Sequence, residues 1–221
     1  MASERKNYLY GNPKAKNWII EPIDAQSLRE KEKEIKALQK LNPEDNWCLV
    51  GVLIDDWQWD LTPWHVYDQK NNLDFGNGGK RTLNYVTKEL IPELKQSYRT
   101  QKPKRFYLAG YSLAGLFAMW SAYQTDCFDG VAAVSPSLWY PGWEEYAEKH
   151  QIKTPRVYLS LGDKEAKTKN PVMATVEKAV SGQYERLRAE GVRVQFDMNK
   201  GNHFKNADVR MAKGISWLIN D

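Results

Sequence analysis

Short apolar runs alternate along the chain with longer segments in which apolar residues recur at helical spacing. Each run is short enough for a buried strand, and the runs occupy residues 18–20, 47–54, 106–109, 130–134, 157–161 and 192–196. About six strands thus alternate with about as many helices, which is typical of a mostly parallel sheet covered by helices on both faces. The pattern predicts one α/β domain over residues 17–221, preceded by a polar N-terminal arm at residues 1–16.

The composition is that of a folded globular domain. The 221 residues are 42% hydrophobic and 27% charged, and a chain of this length can bury a sizeable core. With 32 basic and 28 acidic residues, the net charge of +4 is too small and too scattered to indicate nucleic-acid binding. The pattern indicates no particular oligomeric state.

The cellular compartment is suggested by the cysteines and by the apolar runs. No run approaches the roughly 20 residues that a membrane-spanning helix needs, and residues 1–16 lack the apolar core of a signal peptide. Cys48 and Cys127 lie in or beside apolar segments, and we interpret both as buried free thiols, which are typical of a reducing compartment. We therefore expect a cytoplasmic protein with no membrane partner.

The stretch at residues 105–120 carries the strongest chemical signal. An apolar strand pattern leads into Gly110, Tyr111 and Ser112, and a helical pattern follows directly. Small residues at Gly110 and Ala114 would let the strand and the helix cross closely around the serine. A serine at such a turn is typical of the nucleophile elbow of α/β hydrolases, where a strained backbone presents the hydroxyl above the sheet. The alternative is a serine that only caps a helix.

A serine nucleophile needs a base and an acid, which in this fold follow it on later loops. Of the histidines, His203 lies directly after the last strand pattern, where the base is expected, whereas His65 precedes the serine and His150 ends a polar helix. The loop after the strand at 157–161 offers Asp163 and Glu165 as the acid that would orient the histidine. Glu165 is preferred because its extra residue of reach suits a side chain that folds back over the strand end, and Asp163 is the alternative.

Two backbone N–H groups are needed to bind an oxyanion. One is expected from Leu113, the residue after the serine, and the other from the loop after the first strand. Pro22 has no N–H, so Ile23 is the first candidate there and Asp24 the second.

Aromatic residues cluster in loops that leave the same edge of the predicted sheet, where ligands of parallel sheets bind. Trp57, Trp64 and Trp139 could form an aromatic wall for an ester, or they could fill the rim of the core. Asp56 could orient substrate hydroxyls or hold its own loop through a bond to the backbone. We expect no metal and no cofactor, since the chain has no Cys-x-x-Cys or His-x-His spacing.

With these motifs in hand, the chain resembles the putative esterase family of α/β hydrolases, which includes feruloyl esterases, mycolyltransferases and iron–siderophore esterases. The motifs that carry the resemblance lie at residues 110–115, 135–139, 162–165 and 201–204. The resemblance implies a three-layer sandwich with a Ser-His-acid site formed by Ser112, His203 and Glu165 or Asp163. The stretch between Trp139 and the next strand is too short for a large lid, so a minimal cap and an open site are expected.

The resulting hypothesis is a serine carboxylic-ester hydrolase that works through an acyl-enzyme and acts on a small-molecule or polymer-linked ester. One alternative is an acyltransferase that uses the same residues with an alcohol or amine in place of water. The other is a catalytically silent member of the fold that binds a ligand or a partner.

Overall fold

A computed structural model describes residues 5–99 and 104–220. The strands are β1 (Asn7–Gly11), β2 (Asn17–Ile23), β3 (Trp47–Leu53), β4 (Val66–Asp68), β5 (Leu73–Phe75), β6 (Arg105–Tyr111), β7 (Gly130–Val134), β8 (Arg156–Gly162) and β9 (Arg193–Asn199). The helices are α1 (Ala25–Leu41), α2 (Trp57–Asp60), α3 (Gly79–Asn84), α4 (Ile91–Ser97), α5 (Leu113–Gln124), α6 (Trp143–Lys149), α7 (Val176–Ala189) and α8 (Ala207–Ile219). A π-helical segment, Tyr85–Leu90, joins α3 to α4, and a 3₁₀ turn, Met173–Thr175, precedes α7.

A seven-stranded sheet in the order β1-β3-β2-β6-β7-β8-β9 forms the centre of the protein. All neighbouring strands are parallel except β1, which runs antiparallel to β3. Strands β4 and β5 form a separate antiparallel pair that the apolar pattern did not predict. The predicted α/β class with a mostly parallel sheet is confirmed.

Each face of the sheet carries its own hydrophobic core, because successive side chains of a strand point to opposite faces. In β2, Trp18 and Ile20 pack into one core and Ile19 into the other. The larger core includes residues of α3 to α7, and the smaller includes residues of α1 and α8. Burial on both faces explains why the inner strands are almost continuously apolar.

The predicted N-terminal arm is wrong for the residues that form β1. Asn7–Gly11 pairs with β3 over its whole length and supplies the edge strand of the sheet. Its exposed and half-buried residues alternate, since an edge strand is covered less completely than a central one, and this polar pattern resembles a solvated arm. The domain therefore starts before residue 17, and the sheet has seven strands rather than about six. Residues 1–4 of the predicted arm lie outside the described residues.

The other expectations for the scaffold have mixed outcomes. Between Trp139 and β8, the chain forms only the seven-residue helix α6, which agrees with a minimal cap. Cys48 is buried as predicted, but Cys127 is exposed, so that part of the thiol interpretation is wrong. Within the described ranges, no helix combines the length and apolar character needed to cross a membrane.

Candidate active site

Ser112 lies in the sharp turn between β6 and α5. Its backbone angles, φ +60° and ψ −119°, are rarely adopted by a residue with a side chain. Its N–H donates to the carbonyl of Val134 at 3.1 Å, and its own carbonyl accepts from the N–H of Ser137 at 3.0 Å. The loop after β7 therefore holds the strained turn in place.

Small residues allow the strand and the helix to meet at this turn. A Cβ atom on Gly110 would lie 2.2 Å from the carbonyl oxygen of Ala114. One on Gly115 would lie 3.0 Å from the Cα of Pro136, on the neighbouring loop. This is the close crossing that the spacing around Ser112 predicted.

His203 lies in the loop between β9 and α8, and its ring contacts the carboxylate of Glu165. The distance from Nδ1 to Oε2 is 2.7 Å. The His203 side chain is 30% exposed and the Glu165 side chain 3% exposed, so the imidazole faces the surface while the carboxylate supports it from below. The loop after β8 brings Glu165 to this point.

The Glu165 carboxylate is buried and accepts several hydrogen bonds. Its Oε1 atom accepts from Ser135 Oγ at 2.7 Å, from the Gly162 N–H at 2.7 Å and from Arg210 at 2.8 Å. Burial by itself raises the pKa of a carboxyl, but the hydrogen bonds and the charge of His203, with help from Ser135 and Gly162, outweigh it. The pKa of Glu165 therefore lies below its usual value, and the group is a carboxylate at neutral pH.

Asp163 occupies a different position from Glu165. It is exposed, and its Oδ1 atom accepts a hydrogen bond from the Gly201 N–H at 2.7 Å. The Lys164 N–H donates to the carbonyl of Gly201 at 3.1 Å. Asp163 thus connects the loop after β8 to the loop of His203 through the backbone, two residues away from the imidazole.

Two side chains that the sequence analysis did not single out also hold the loop of His203. The hydroxyl of Tyr111 donates to the carbonyl of His203 at 2.5 Å, and the two rings lie 5.2 Å apart. Arg210 donates to the carbonyl of Asn202 at 3.0 Å. His203 is therefore packed against the residue that precedes Ser112. One sign in the sequence points to a role for Arg210, since it is a charged residue directly beside the apolar positions that mark the last helix.

The hydroxyl of Ser112 has a second serine beside it. In the part of the chain that the structure describes, its one hydrogen-bond partner is Ser137 Oγ, at 3.4 Å. Ser137 is buried and follows β7, in the segment 135–139 that carried part of the family resemblance. In this conformation the nucleophile candidate is thus in contact with the loop after β7 rather than hydrogen-bonded to His203.

The candidates for oxyanion binding lie at the ends of two neighbouring strands. Leu113 is the first residue of α5, where backbone N–H groups have no partner within the helix. Ile23 is the last residue of β2, which is adjacent to β6 in the sheet, and its carbonyl accepts from Ile54. Asp24 caps α1 through a bond from the Ser27 N–H to its side chain.

The aromatic candidates are held mainly by other aromatic residues. Trp64 is half-buried, donates through Nε1 to the carbonyl of Pro141 and packs against Tyr140, so it joins the cap to the loop after α2. Trp139 is half-buried, packs 6.0 Å from Phe75 and lines a cavity of about 500 Å³ between α6 and α7.

The loop around α2 is held by Asp56, whose Oδ1 accepts from the Trp59 N–H at 2.9 Å. Of the two roles considered for Asp56, this geometry matches the one that fixes its own loop. Trp57, the first residue of α2, is half-buried and packs against the larger core.

Together, the parallel sheet, the strained serine between a strand and a helix, and the later acid and histidine define an α/β hydrolase. A family model described as "Putative esterase" matches residues 45–207, and the chain belongs to this family. It is therefore a carboxylesterase.

Similar proteins agree with this assignment at the level of the fold. A Bacillus subtilis (strain 168) protein described as "Uncharacterized protein YbbA" is 24% identical over 180 residues, which cover 77% of this chain and 72% of that protein. The structure of an IroE-like serine hydrolase from Shewanella oneidensis superposes with a TM-score of 0.77 at 20% identity, and covers 98% of this chain and 76% of that one. The siderophore hydrolase EstA from Aspergillus nidulans gives a TM-score of 0.74 at 17% identity, with 94% and 84% covered.

Proposed function

We propose that the protein hydrolyses carboxylic esters through a triad of Ser112, His203 and Glu165 and an acyl-enzyme intermediate. The observation that carries the proposal is the 2.7 Å contact between His203 Nδ1 and Glu165 Oε2, in a loop packed against the strained turn of Ser112. That contact leaves Nε2 as the ring nitrogen available to the serine. Membership of the esterase family supports the same chemistry.

The first half-reaction joins the acyl group to the enzyme. The Ser112 oxygen attacks the ester carbonyl while His203 Nε2 accepts the hydroxyl proton, and Glu165 stabilises the imidazolium through the Nδ1–H bond. The tetrahedral oxyanion binds the backbone N–H of Leu113 and that of Asp24, the second candidate after β2, because Ile23 pairs with β3 and its N–H points away from β6. When it collapses, the carbon–oxygen bond to the leaving group breaks, and the imidazolium gives its proton to the departing alkoxide.

The second half-reaction returns the enzyme to its starting state. Water gives a proton to His203 and adds to the acyl carbonyl, and the second tetrahedral species expels the Ser112 oxygen, which recovers the proton from the imidazolium. The reaction consumes one ester and one water and yields one acid and one alcohol.

The resting contact of Ser112 with Ser137 requires one side-chain movement before attack. At 3.4 Å this hydrogen bond is long, so rotation of the Ser112 side chain toward His203 costs little. Hydrogen bonds between catalytic groups are often formed fully only in the substrate complex. The substrate would then occupy the space next to the hydroxyl of Ser137.

Glu165 is assigned as the acid in preference to Asp163. The Glu165 side chain is 3% exposed and bonded to the imidazole, which is the burial and geometry that the role requires. Asp163 is exposed and its carboxylate is used by the Gly201 N–H. We assign Asp163 a structural role, in which it holds the loop of His203 through the Gly201 N–H.

The substrate class proposed is a bulky ester with aromatic character. Phe204, directly after His203, is 87% exposed, and its ring meets the His203 ring edge-on at 5.4 Å. An aromatic side chain with so little cover next to the base would gain contacts from an aryl group of the substrate. Trp57 and Trp139 would form further aromatic walls, and the minimal cap leaves room for a polymer-linked ester or for an ester of a siderophore, the class of molecule in the name of EstA.

The proposal is tested by hydrolysis of p-nitrophenyl esters by the wild type and by Ser112→Ala. The wild type is expected to show saturable hydrolysis, and S112A to lose at least about a thousandfold in kcat. Ser181→Ala, on the half-exposed side of α7, is the matched control and is expected to keep wild-type activity. Equal activity of S112A and wild type would overturn the assignment, and product analysis with a competing alcohol separates hydrolysis from acyl transfer.

A further inference from the structure

Arg210 is a buried cation directly beneath the proposed triad. It lies in the first turn of α8, and the side chain is 2% exposed. Burying a guanidinium is unfavourable unless its donors are used and its charge is balanced. Each of its contacts leads to the loop of His203 or to Glu165.

The first contact is with the acid itself. Arg210 Nη1 lies 2.8 Å from Glu165 Oε1, while the other oxygen, Oε2, contacts His203 Nδ1 at 2.7 Å. The one carboxylate is therefore shared between a permanent cation and the imidazole. The hydroxyl of Ser135 links Arg210 to Glu165 a second time: its Oγ accepts from Arg210 Nη1 at 3.0 Å and donates to Glu165 Oε1 at 2.7 Å.

The second set of contacts holds the backbone of the histidine loop. Arg210 Nη2 donates to the carbonyl of Asn202 at 3.0 Å. Arg210 Nη1 also donates to the hydroxyl of Tyr111 at 3.3 Å, and that hydroxyl donates to the carbonyl of His203. One guanidinium thus connects to the carbonyls of two successive loop residues, directly at Asn202 and through Tyr111 at His203.

We propose that Arg210 is a positioning residue of the esterase: it fixes the His203 loop and, by sharing Glu165, keeps the imidazole less basic than an unshared carboxylate would make it. The inference rests on the proposed function, because it concerns the same triad. A lysine cannot replace the guanidinium fully, since it lacks the planar fork that reaches Glu165, Tyr111 and Asn202 together.

A shared carboxylate has a consequence for the pH dependence. Without the positive charge of Arg210, Glu165 would stabilise the imidazolium more strongly and the repulsion between the two cations would vanish, so both changes favour protonated His203. The acidic limb of kcat/KM would then move to higher pH.

Several charged and titratable groups surround this cluster. They are Tyr111 from β6, Tyr158 from β8, Asp163 and Glu165 from the loop after β8, Asp197 from β9, and His203 and Lys205 from the loop before α8.

The experiment compares Arg210→Met and Arg210→Lys with the wild type in the full-length protein. For each protein, kcat/KM for a p-nitrophenyl ester is measured across about pH 5 to 9, together with thermal unfolding. R210M is expected to lose at least about tenfold in kcat/KM, with its acidic limb about one pH unit higher. R210K is expected to lose activity with no displacement of the limb, because it keeps the charge but not the fork. Arg188→Met, at an arginine 59% exposed on α7, is the control and should match the wild type.

Several results would overturn the inference. One is a folded R210M with wild-type kcat/KM, and another is an R210M whose activity falls while its acidic limb stays in place, which is the behaviour of a merely structural residue. If R210M does not fold, wild-type activity of R210K would count against the positioning role. A wild type that hydrolyses no ester would instead overturn the proposed function, and this inference with it.

Discussion

The carboxylate of Asp163 accepts a hydrogen bond from the backbone N–H of Gly201 at 2.7 Å, two residues before the imidazole that Glu165 contacts. Gly201 has φ +120°, a conformation that favours glycine, so the loop of His203 is bent sharply at this point. The two carboxylates of one short loop therefore act on one histidine loop at different places, through the backbone and through the ring.

This division predicts different effects for two conservative substitutions. Glu165→Gln keeps the size of the side chain but removes the charge that stabilises the imidazolium, so kcat for a p-nitrophenyl ester should fall by about 10²- to 10⁴-fold. Asp163→Asn weakens one charge-assisted bond to the backbone and should cost at most about tenfold in kcat and about 1 kcal/mol in the free energy of unfolding. Urea unfolding of both variants is the control for folding. If D163N lost as much activity as E165Q, Asp163 would have to be given the acid role.

A second prediction concerns a buried charged cluster between β2 and α1. Lys31 Nζ lies 2.6 Å from Glu21 Oε1 and 2.8 Å from Glu34 Oε2, so one cation is shared by two carboxyl groups. Burial, and then the charge of Glu21, raise the pKa of Glu34 well above its usual value. The folded protein therefore holds a proton on Glu34 at a pH where the unfolded chain has released it.

The sign of the linkage follows from that raised pKa. The stability that Glu34 contributes is fully present below its unfolded pKa and is lost as the pH rises through its folded pKa. Glu34→Gln imitates the protonated form at every pH. The free energy of unfolding of E34Q should therefore increase relative to that of the wild type as the pH rises. Urea unfolding across about pH 5 to 9 measures this, with the exposed Glu32→Gln as control. Parallel curves for E34Q and wild type would contradict a proton held on Glu34 in the folded protein.

A third prediction tests the close crossing at the elbow. Gly110→Ala places a Cβ 2.2 Å from the carbonyl oxygen of Ala114, which can move only if the strand and the helix separate. We expect a loss of about 1 to 3 kcal/mol in the free energy of unfolding, together with a loss of activity. Gly182→Ala is the matched control, since its Cβ would meet no atom within 4 Å and the change in a helix should stabilise by about 0.5 to 1 kcal/mol. Equal stability of the two variants would contradict the packing described here.

A fourth prediction concerns the exposed ring beside the base. Phe204→Ala should raise KM for an aryl ester by about 3- to 10-fold and leave KM for a short alkyl ester nearly unchanged, because only the aryl group can stack on the ring. With 87% exposure, the side chain contributes little to folding, so the melting temperature should not change. Tyr67→Ala, at another exposed aromatic, serves as the control. An equal rise in KM for both substrates would exclude aromatic recognition by Phe204.

The parts of the fold that the sequence predicts well are those with a strong periodic signal. The apolar runs locate β2, β3, β6, β7 and β8 because burial on both faces demands a nearly continuous apolar sequence. The edge strand β9 is located instead by the alternating apolar residues Val194 and Phe196. The sequence analysis misses β1 because this edge strand has only half-buried residues at alternate positions, and a five-residue pattern of that kind cannot be distinguished from a polar arm. The pair β4–β5 is also missed, because each of its strands has only three residues, which is too short to show a periodic pattern.

The candidate site divides in the same way. The elbow of Ser112 and the position of His203 follow from their places relative to strand ends. Spacing alone leaves Asp163 and Glu165 open, because both follow the same strand and only the fold of the loop determines which carboxylate meets the imidazole. The role of Arg210 does not follow from spacing, since its partners Ser135 and Glu165 lie in loops 75 and 45 residues away along the chain.

The most direct measurement for the central claim is the site at which a fluorophosphonate reacts with the protein. The account predicts a single adduct by intact mass, located by peptide mapping at Ser112, absent in Ser112→Ala and slowed by at least about a hundredfold in Glu165→Gln. Folded wild-type protein that stays unlabelled, or an adduct mapped to any other residue, would contradict the claim that Ser112 is the activated nucleophile.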